Sequence, residues 1–478
     1  MTKPLSRNEL AAVGATDADL SRALVANARA AMAELCGASQ QALDECVTAL
    51  AWSHYRIEAA TELAEIAVRD AGLGNVADKI EKVRRKTFGT LRDLSRVKST
   101  GVIEENPSLG LVKYAKPVGV VAALCPTTNP ASTAVNKAMM AIKGGNAVVL
   151  APSPSGWTTI ARSAELMQDA LAKIGRPADL VQILPRPVTK RRTDALMAAC
   201  DLVVATGSAD NVRRAYQSGT PAIGVGTGNV PVIVDSSADI AAAARKIAAS
   251  KTFDNATSCS SENAVIVLAD VYDAALKALA QEGGYLAGEL EKRAIATALW
   301  RDGTLNRDLI AKDANVFARL CGLPREAVAA RFFMVEETGA GRGFPFSGEK
   351  LSLVLTVYKV GGFDEALALT RAILDHQGKG HSCGIHTADM SRARLLAESI
   401  DVVRVLVNQA HVFAHGGGFT TGLNFTQSQG CGTWAGNSIA ENLNYRNFLN
   451  ITHLSVPIAE DKPGEEELFG RYWEKFGR

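Results

Sequence analysis

The feature that most constrains the fold is a series of short, almost continuously apolar segments that begins at Val118 and alternates with helical patterns. Helices fit between the segments, at about 131–143, 156–174 and 189–199. Strands that are apolar on both faces and are separated by helices are typical of a buried parallel sheet. The predicted strands are 119–124, 147–150, 180–184, 202–205 and 230–234.

The chain on either side of this series has other patterns. Because 478 residues exceed what one compact core needs, we predict an α/β fold with more than one domain. The remaining predicted elements are helices within 8–73 and 76–94, a β-hairpin at 101–117, a helix at 240–252, strands at 264–268, 331–335 and 351–358, and an extended segment at 448–456.

Composition and charge narrow the class of protein. Hydrophobic residues make up 47% of the chain, charged residues 21%, and the net charge is +2, which is ordinary for a globular enzyme and does not indicate a nucleic-acid partner. The basic cluster of Lys82, Arg84, Arg85 and Lys86 is expected to form a solvated helix face. No apolar run reaches the ~18 residues of a membrane span, and the N-terminal sequence MTKPLSRNEL lacks a secretory apolar region.

Cysteine and histidine usage argues against structural metal sites and disulfides. The eight cysteines form no C-x-x-C motif, which is typical of proteins in the reducing cytoplasm. His376, His381 and His386 are close in sequence, but no cysteine or carboxylate completes a ligand set, so no metal is predicted.

Cys259 is the candidate nucleophile. It lies in a connector rich in small hydroxylated residues, between the predicted helix 240–252 and the predicted strand 264–268. A thiol on such a connector can meet a substrate, and its neighbours offer hydrogen bonds. The alternative is that Cys259 is a half-buried small hydrophobic residue.

Two glycine-containing motifs could approach a ligand. Thr206, Gly207 and Ser208 lie between a strand and a helix, where exposed backbone N–H groups suit a phosphate, although an ordinary helix cap has the same pattern. The stretch 224–229, which contains Gly226, has G-x-G-x-G spacing but precedes a strand, so it does not fit a dinucleotide fingerprint. We interpret it as backbone packed close to a ligand.

Two further motifs carry polar groups. The stretch 126–129 follows the first long strand, and ligands bind outside the carboxyl ends of such strands. The amide of Asn129 could donate to an oxyanion there, or Asn129 could be a turn residue before Pro130. Glu349 precedes a predicted strand, and a lone glutamate in that position is usually solvated.

The order of these motifs resembles that of the aldehyde dehydrogenase superfamily, in particular its CoA-acylating branch. Similar motifs occur in acylating sulfoacetaldehyde dehydrogenases and in the aldehyde dehydrogenase half of bifunctional aldehyde-alcohol dehydrogenases. The resemblance extends from about residue 20 to 455, and its matching stretches are 126–130, 221–231, 251–255, 349–352 and 430–438.

The resemblance implies a Rossmann-type cofactor domain, an αβ catalytic domain and a small β oligomerisation flap. The cofactor domain would comprise 1–100 and 118–233, the catalytic domain 234–430, and the flap 101–117 and 445–465. A homodimer or homotetramer is expected.

The resemblance also implies residue roles. Cys259 would attack the aldehyde as a thiolate, while the Asn129 amide and the Cys259 N–H hold the oxyanion. Hydride transfer to NAD or NADP would leave a thioester. Glu349 matches the residue that binds the nicotinamide ribose. The other residues assigned to the cofactor site are Pro126, Thr127, Ser153, Thr206, Gly207, Ser208 and Gly226.

Val225 bears on the acyl acceptor. Hydrolytic members of the superfamily have a water-activating glutamate in the motif that corresponds to 224–231, whereas valine cannot accept a proton. Water attack on the thioester should therefore be slow, which favours coenzyme A as acceptor. A hydrolytic dehydrogenase that gives the free acid is the alternative, and a catalytically silent relative is an alternative of another class.

The substrate is expected to be a short polar or anionic aldehyde. Thr257 and Ser258 make the approach to Cys259 polar, and His411 and His415 lie in a segment that borders the substrate mouth in the family. Sulfoacetaldehyde is the leading candidate, with acetaldehyde, propanal and succinic semialdehyde as alternatives. The histidines could instead be ordinary loop residues.

The cofactor preference is expected to favour NADP over NAD. The stretch 151–155, which contains Ser153, has no acidic residue to repel a 2′-phosphate, and its hydroxyls could bind one. The basic residues Arg186, Lys190, Arg191 and Arg192 could reach the same phosphate, or they could form a plain surface patch.

Overall fold

The N-terminal part of the chain is helical. The computed structural model describes residues 16–478; the predicted helical stretch 8–73 is confirmed from residue 17 onward, and 8–15 lie outside the described residues. Gly72 ends the third helix with a left-handed φ of 62°, which a glycine adopts without a Cβ penalty. These helices are α1 (Asp17–Ala33), α2 (Gln40–Tyr55), α3 (Ile57–Ala71) and α4 (Val76–Ser95).

A hairpin and then a five-stranded parallel sheet follow. The predicted hairpin is formed by β1 (Gly101–Asn106) and β2 (Leu111–Pro117). The sheet has the order β5-β4-β3-β6-β7, and its central strands are buried on both faces, as their continuous apolar character predicted. Its elements are β3 (Val120–Cys125), α5 (Pro130–Lys143), β4 (Ala147–Pro152), α6 (Trp157–Lys173), β5 (Val181–Ile183), α7 (Lys190–Ala199), β6 (Leu202–Ala205), α8 (Ala209–Gln217) and β7 (Ala222–Gly224).

The order of this sheet determines where a ligand can bind. From β3 the chain adds β4 and β5 on one side and then returns to add β6 and β7 on the other. The loops after β3 and β6 therefore diverge at the carboxyl edge of the sheet and leave a crevice between them. These are the loops that carry 126–129 and 206–208.

A second, seven-stranded parallel sheet has the order β10-β13-β14-β9-β8-β15-β16. Two large apolar clusters pack on it, one of them against the helix Tyr272–Gln281 and the other against the helix Phe363–His376. Its elements, with one small hairpin, are β8 (Val230–Val234), α9 (Ile240–Thr252), β9 (Glu262–Leu268), α10 (Tyr272–Gln281), β10 (Gly284–Leu286), α11 (Glu289–Leu299), β11 (Trp300–Arg301), β12 (Thr304–Leu305), α12 (Ala314–Leu320), β13 (Phe332–Glu336), β14 (Val354–Val360), α13 (Phe363–His376), β15 (Cys383–His386), α14 (Met390–Ser399), β16 (Val405–Val407) and α15 (His411–Ala414).

One predicted assignment is wrong at this point. The range 118–233 was assigned to the first domain, but β8 pairs with β9 and β15 in the second sheet. An apolar strand has the same pattern in either sheet, and only the pairing decides which one it joins. The change of sheet therefore occurs between β7 and β8.

The C-terminal part forms an antiparallel sheet and a last helix. β17 (Leu449–Ser455), within the predicted extended segment 448–456, pairs with β2 to complete the order β1-β2-β17. The helix α16 (Glu465–Phe476) was not predicted. Within residues 16–478, no helix is both long and apolar enough to cross a membrane.

Candidate active site

A cleft of about 1000 Å³ opens at the carboxyl ends of β3 and β6 and extends to the connector that carries Cys259. The structure thus brings together stretches that are far apart in sequence. The predicted site residues that line the cleft are Pro126, Thr127, Asn129, Ser153, Thr206, Gly207, Ser208, Gly226, Thr257, Ser258, Cys259 and Glu349.

The connector before Cys259 has an unusual backbone. Asp254, Asn255 and Ala256 have positive φ angles of 49°, 52° and 58°, a conformation that costs of order 1–3 kcal/mol at residues other than glycine. Gly228 packs against the other side, where a Cβ atom would lie 2.3 Å from the carbonyl oxygen of Cys259. The connector is therefore held in one conformation, with the half-buried thiol at the cleft.

The thiol of Cys259 is protonated in the free protein. Burial, and then the nearby carboxyl group of Glu349, raise the pKa of this thiol to about 12. Burial also raises the pKa of Glu349 to about 8, and the Oε1 atom of Glu349 has no hydrogen-bond partner among the described residues. Because the thiolate is the nucleophile, a reaction at Cys259 needs a bound ligand or a base that favours loss of this proton.

Asn129 is oriented by a buried ion-pair network that the sequence analysis missed. The Lys82 ammonium donates to Asn129 Oδ1 at 2.7 Å, to Ser258 Oγ at 3.3 Å and to Asp254 Oδ2 at 2.5 Å. Lys79 donates to the same Asp254 oxygen at 3.0 Å. Lys82 occupies the amide oxygen, and the Nδ2 group of Asn129 donates to Thr128 Oγ1 at 3.4 Å, so the second N–H of Nδ2 is the donor that remains for a ligand in the cleft.

Asp254 is charged in this network. Burial alone would raise the pKa of its carboxyl group, but the ammonium groups of Lys82 and Lys79 outweigh burial and hold the pKa below its usual range. The carboxylate also accepts the backbone N–H of Asn75 at 3.1 Å, and Asp78 accepts the N–H of Asp254 at 2.7 Å. Helix α4 and the connector of Cys259 are thereby joined.

The expected solvated basic face on α4 is therefore wrong for most of its members. Lys82 is 5% exposed and Lys86 8%, and Arg85 is half-buried. All three line the cleft, whereas Arg84 lies elsewhere and donates to the carbonyl oxygen of Tyr55. The spacing of 82, 85 and 86 puts these residues on one side of the helix, which was the signal in the sequence for a shared buried face.

The loops of the first sheet form the other end of the cleft. Ser208 caps α8 and accepts the N–H of Asn211 at 3.3 Å, and Gly207 precedes it with φ of 156°. The hydroxyls of Thr127 and Ser153 are 2.7 Å apart and both line the cleft. A helix N-terminus beside two hydroxyls suits a phosphate-containing ligand.

Most of the basic cluster predicted near this end is engaged elsewhere. Arg191 and Arg192 both bind Asp17, and Arg186 stacks on the Trp157 ring. Only Lys190 lines the cleft, where it pairs with Asp210 at 3.0 Å. The acidic partner on α1 is far from the cluster in sequence, so its position could not be predicted from spacing.

The prediction that His411 and His415 border the substrate is also wrong. Both are at most 1% exposed, and the His415 ring stacks on His381 at 4.4 Å and on His411 at 5.5 Å between ring centroids. Burial and then the Arg404 guanidinium lower the pKa of His411 to about 3, so its ring is neutral.

The segment itself does reach the cleft, through other residues. Val412 and Phe413 line the cleft, because successive residues of α15 point in different directions while 411 and 415, four apart, share the buried side. Phe413 packs edge-on against Phe253 at 4.8 Å between ring centroids, and neither ring was predicted to belong to the site.

Comparisons with known proteins agree with this geometry. A family model described as "Aldehyde dehydrogenase family" matches residues 1–287. The chain belongs to the aldehyde dehydrogenase family. It is 48% identical over 462 residues to a sulfoacetaldehyde dehydrogenase (acylating) from Cupriavidus necator. That alignment covers 96% of this chain and 94% of the relative. A second enzyme of that name, from Bilophila wadsworthia, is 41% identical, and the alignment covers 94% of this chain and 98% of the relative.

The fold agrees with solved structures of aldehyde dehydrogenases. An acetylating aldehyde dehydrogenase from Geobacillus thermoglucosidasius aligns with a TM-score of 0.89 at 34% identity, and the alignment covers 94% of this chain and 98% of that one. This confirms the predicted α/β fold of the aldehyde dehydrogenase type and the small antiparallel sheet that accompanies it.

Proposed function

We propose that this aldehyde dehydrogenase oxidises a short anionic aldehyde to its CoA thioester with NAD(P) as hydride acceptor, and that sulfoacetaldehyde is its substrate. The observation that carries the proposal is that the Cys259 thiol, the Asn129 amide and Val225 line the same cleft. The names of the relatives from Cupriavidus necator and Bilophila wadsworthia support both the acceptor and the aldehyde.

The proposed chemistry begins at Cys259. Its thiolate forms a bond to the carbonyl carbon, and the electron pair of the C=O bond moves to the oxygen, which the Asn129 Nδ2 group and the Cys259 backbone N–H stabilise. NAD(P)⁺, when bound, accepts the hydride that leaves this carbon. The oxygen then re-forms its double bond, which leaves a thioester on Cys259. The thiol of CoA attacks the thioester carbonyl carbon, the bond between this carbon and the Cys259 sulfur breaks, and the proton of the CoA thiol passes to the departing Cys259 thiolate.

Val225 supports CoA rather than water as the acceptor. This residue is buried at the cleft and cannot accept a proton. A water molecule needs a nearby base to remove its proton before it can attack the thioester near neutral pH, whereas a thiol is already a better nucleophile. Release of free acid should therefore be slow.

Several groups in the cleft fit the nicotinamide cofactor. The buried Oε1 of Glu349 has no partner among the described residues, and a ribose hydroxyl would satisfy it. The turn at 206–208 would hold the pyrophosphate at the start of α8. Ser153, Thr127 and Lys190 line the cleft and could bind the 2′-phosphate of NADP. We therefore propose a preference for NADP over NAD. A strong preference for NAD in steady-state kinetics would overturn that part.

Assembly and location are parts of the same proposal. Apolar side chains remain exposed on β17 and α16, which supports a homodimer or homotetramer in which these elements are covered. The eight cysteines are all free, which supports a reducing cytoplasmic location. The exposed apolar residues are Ile451, Leu454, Leu468, Phe469, Tyr472 and Phe476.

The test of the substrate compares kcat/KM for sulfoacetaldehyde, succinic semialdehyde, acetaldehyde and propanal at fixed CoA. Sulfoacetaldehyde should give the highest value. If propanal exceeds it by about tenfold or more, which is ~1.4 kcal/mol of transition-state preference, the substrate assignment is wrong.

A further inference from the structure

The end of the cleft near Cys259 is lined by three cationic side chains from one helix. Lys82, Arg85 and Lys86 lie on the same side of α4 and all line the cleft. Two of them are buried and the third is half-buried. Placing cations out of water is costly unless opposite charges compensate them. The partners of each group therefore decide what this surface can bind.

Of these three cations, only Lys82 forms an ion pair within residues 16–478, and the Glu81 carboxylate acts on Arg85 without forming one. Lys82 shares Asp254 with Lys79. Lys86 donates to the carbonyl oxygen of Gly416 at 2.6 Å, and Arg85 donates through Nη2 to the carbonyl oxygen of Phe413 at 2.7 Å. No carboxylate in residues 16–478 forms an ion pair with either group, and the buried Nε of Arg85 has no hydrogen-bond partner there. Arg85 and Lys86 are thus not neutralised by an ion pair, and the ring of Phe425 faces both of them.

These cations are close to the reacting groups. Lys82 contacts both Asn129 and Ser258, the residue before Cys259. The Arg85 guanidinium lies 5.3 Å from the centre of the Phe413 ring. Burial, and then the neighbouring Arg85 and Lys82, lower the pKa of Lys86 to about 7, and the charge of a Cys259 thiolate acts in the opposite direction. An anion next to this pair would stabilise its charged form.

We propose that Arg85 and Lys86 bind the anionic tail of the aldehyde and set the preference for anionic over apolar substrates. The inference rests on the proposed function and names the groups that carry its specificity. In a two-carbon aldehyde the anionic group is one carbon away from the carbonyl, so the tail must lie at the same end of the cleft as Cys259. The unused donors of Arg85 and Lys86 can supply charge-assisted hydrogen bonds to a sulfonate or a carboxylate.

The test replaces each cation by methionine, which keeps most of the apolar stem. Arg85→Met and Lys86→Met should each lower kcat/KM for sulfoacetaldehyde by about 10- to 100-fold, the effect of losing a hydrogen bond to a charged group. The value for propanal and the KM for CoA should change by less than about threefold. Arg84→Met is the matched control, because it removes the same charge from the same helix outside the cleft and should leave the preference unchanged.

Four results would overturn the inference. An equal loss of kcat/KM for both aldehydes would show that the cations act on the Cys259 thiol. A raised KM for CoA with an unchanged substrate preference would show that they bind the CoA phosphates. If the wild-type enzyme prefers sulfoacetaldehyde and both variants keep that preference, the inference is rejected while the proposed substrate stands. A wild-type enzyme that prefers propanal would reject the proposed substrate as well.

A binding measurement on the unaltered protein keeps the test independent of how well the variants fold. Ethanesulfonate should slow the alkylation of Cys259 by iodoacetamide, while 1-propanol at the same concentration should not. Equal rates with the two additives would overturn the inference. In the variants that fold, protection by ethanesulfonate should be lost, and in Arg84→Met it should persist.

Discussion

Replacing Asp254 by asparagine should destabilise the protein and slow catalysis together. The carboxylate compensates two buried ammonium groups, those of Lys79 and Lys82. Removal of one partner of a buried ion pair costs ~3–5 kcal/mol. Two hydrogen bonds to charged groups, at ~1.5–3 kcal/mol each, give a similar sum. Asparagine tolerates the left-handed φ of 49°, so backbone strain should add little.

The expected loss lies near the lower end, at ~3 kcal/mol, because a lysine can lose its proton. Burial and then Lys82 already lower the pKa of Lys79 to about 8, and Asp254 opposes both effects. Without Asp254 that pKa should fall further. The folded variant then binds fewer protons than the unfolded chain, so its stability should increase as the pH rises from 7 to 9 and the difference from wild type should shrink.

The assay is urea unfolding at pH 7 and pH 9, combined with kcat at pH 7. The value of kcat should fall because Lys82 would lose the anchor that keeps it on Asn129 Oδ1. Asp375→Asn removes a carboxylate from an exposed ion pair with Lys379 and should change neither quantity measurably. An Asp254→Asn variant with wild-type stability and kcat would refute the argument that this network is charged and positions Asn129.

Three further predictions concern the cleft. Asn129→Ala should lower kcat by about 10²–10³, as the loss of one oxyanion donor does, with a smaller change in the aldehyde KM, and an unchanged kcat would reject its role. Val225→Glu should introduce release of free acid without CoA, measurable by chromatography of the products, and no acid above the wild-type level would show that a base at this position is insufficient. Because burial and Glu349 raise the pKa of the Cys259 thiol, its alkylation rate without ligands should rise about tenfold per pH unit above pH 7. The Cys259→Ser variant gives the background rate from the other cysteines. A rate independent of pH would contradict the conclusion that the thiol is protonated.

The sequence predicted the strands and the residues next to them better than the side-chain directions. The sites at 126–129 and 206–208 were predicted because they follow continuous apolar strands, and parallel strands put their carboxyl ends on one edge. The segment that contains His411 and His415 does reach the cleft, through Val412 and Phe413. Its histidines were nevertheless misassigned, because a short helix buries them and directs Val412 and Phe413 to the cleft.

The errors at charged residues have a common physical reason. Lys82 and Lys86 were expected in solvent because lysine is rarely buried without a partner, and the partner of Lys82, Asp254, lies far along the chain. For Arg191 and Arg192 the sequence left open whether they reach the cofactor or form a surface patch, and in the structure Asp17 binds both. Long-range ion pairs leave no periodic pattern, so only the folded structure reveals them.

The most direct test of the central claim is the product formed from sulfoacetaldehyde and NADP⁺ or NAD⁺ with and without CoA. NAD(P)H formation is followed by absorbance and the products by mass spectrometry. With CoA present, we expect sulfoacetyl-CoA in a one-to-one ratio to NAD(P)H, and without CoA a single turnover at most. Formation of NAD(P)H at the full rate without CoA, with accumulation of sulfoacetate, would contradict the claim that this protein is an acylating dehydrogenase.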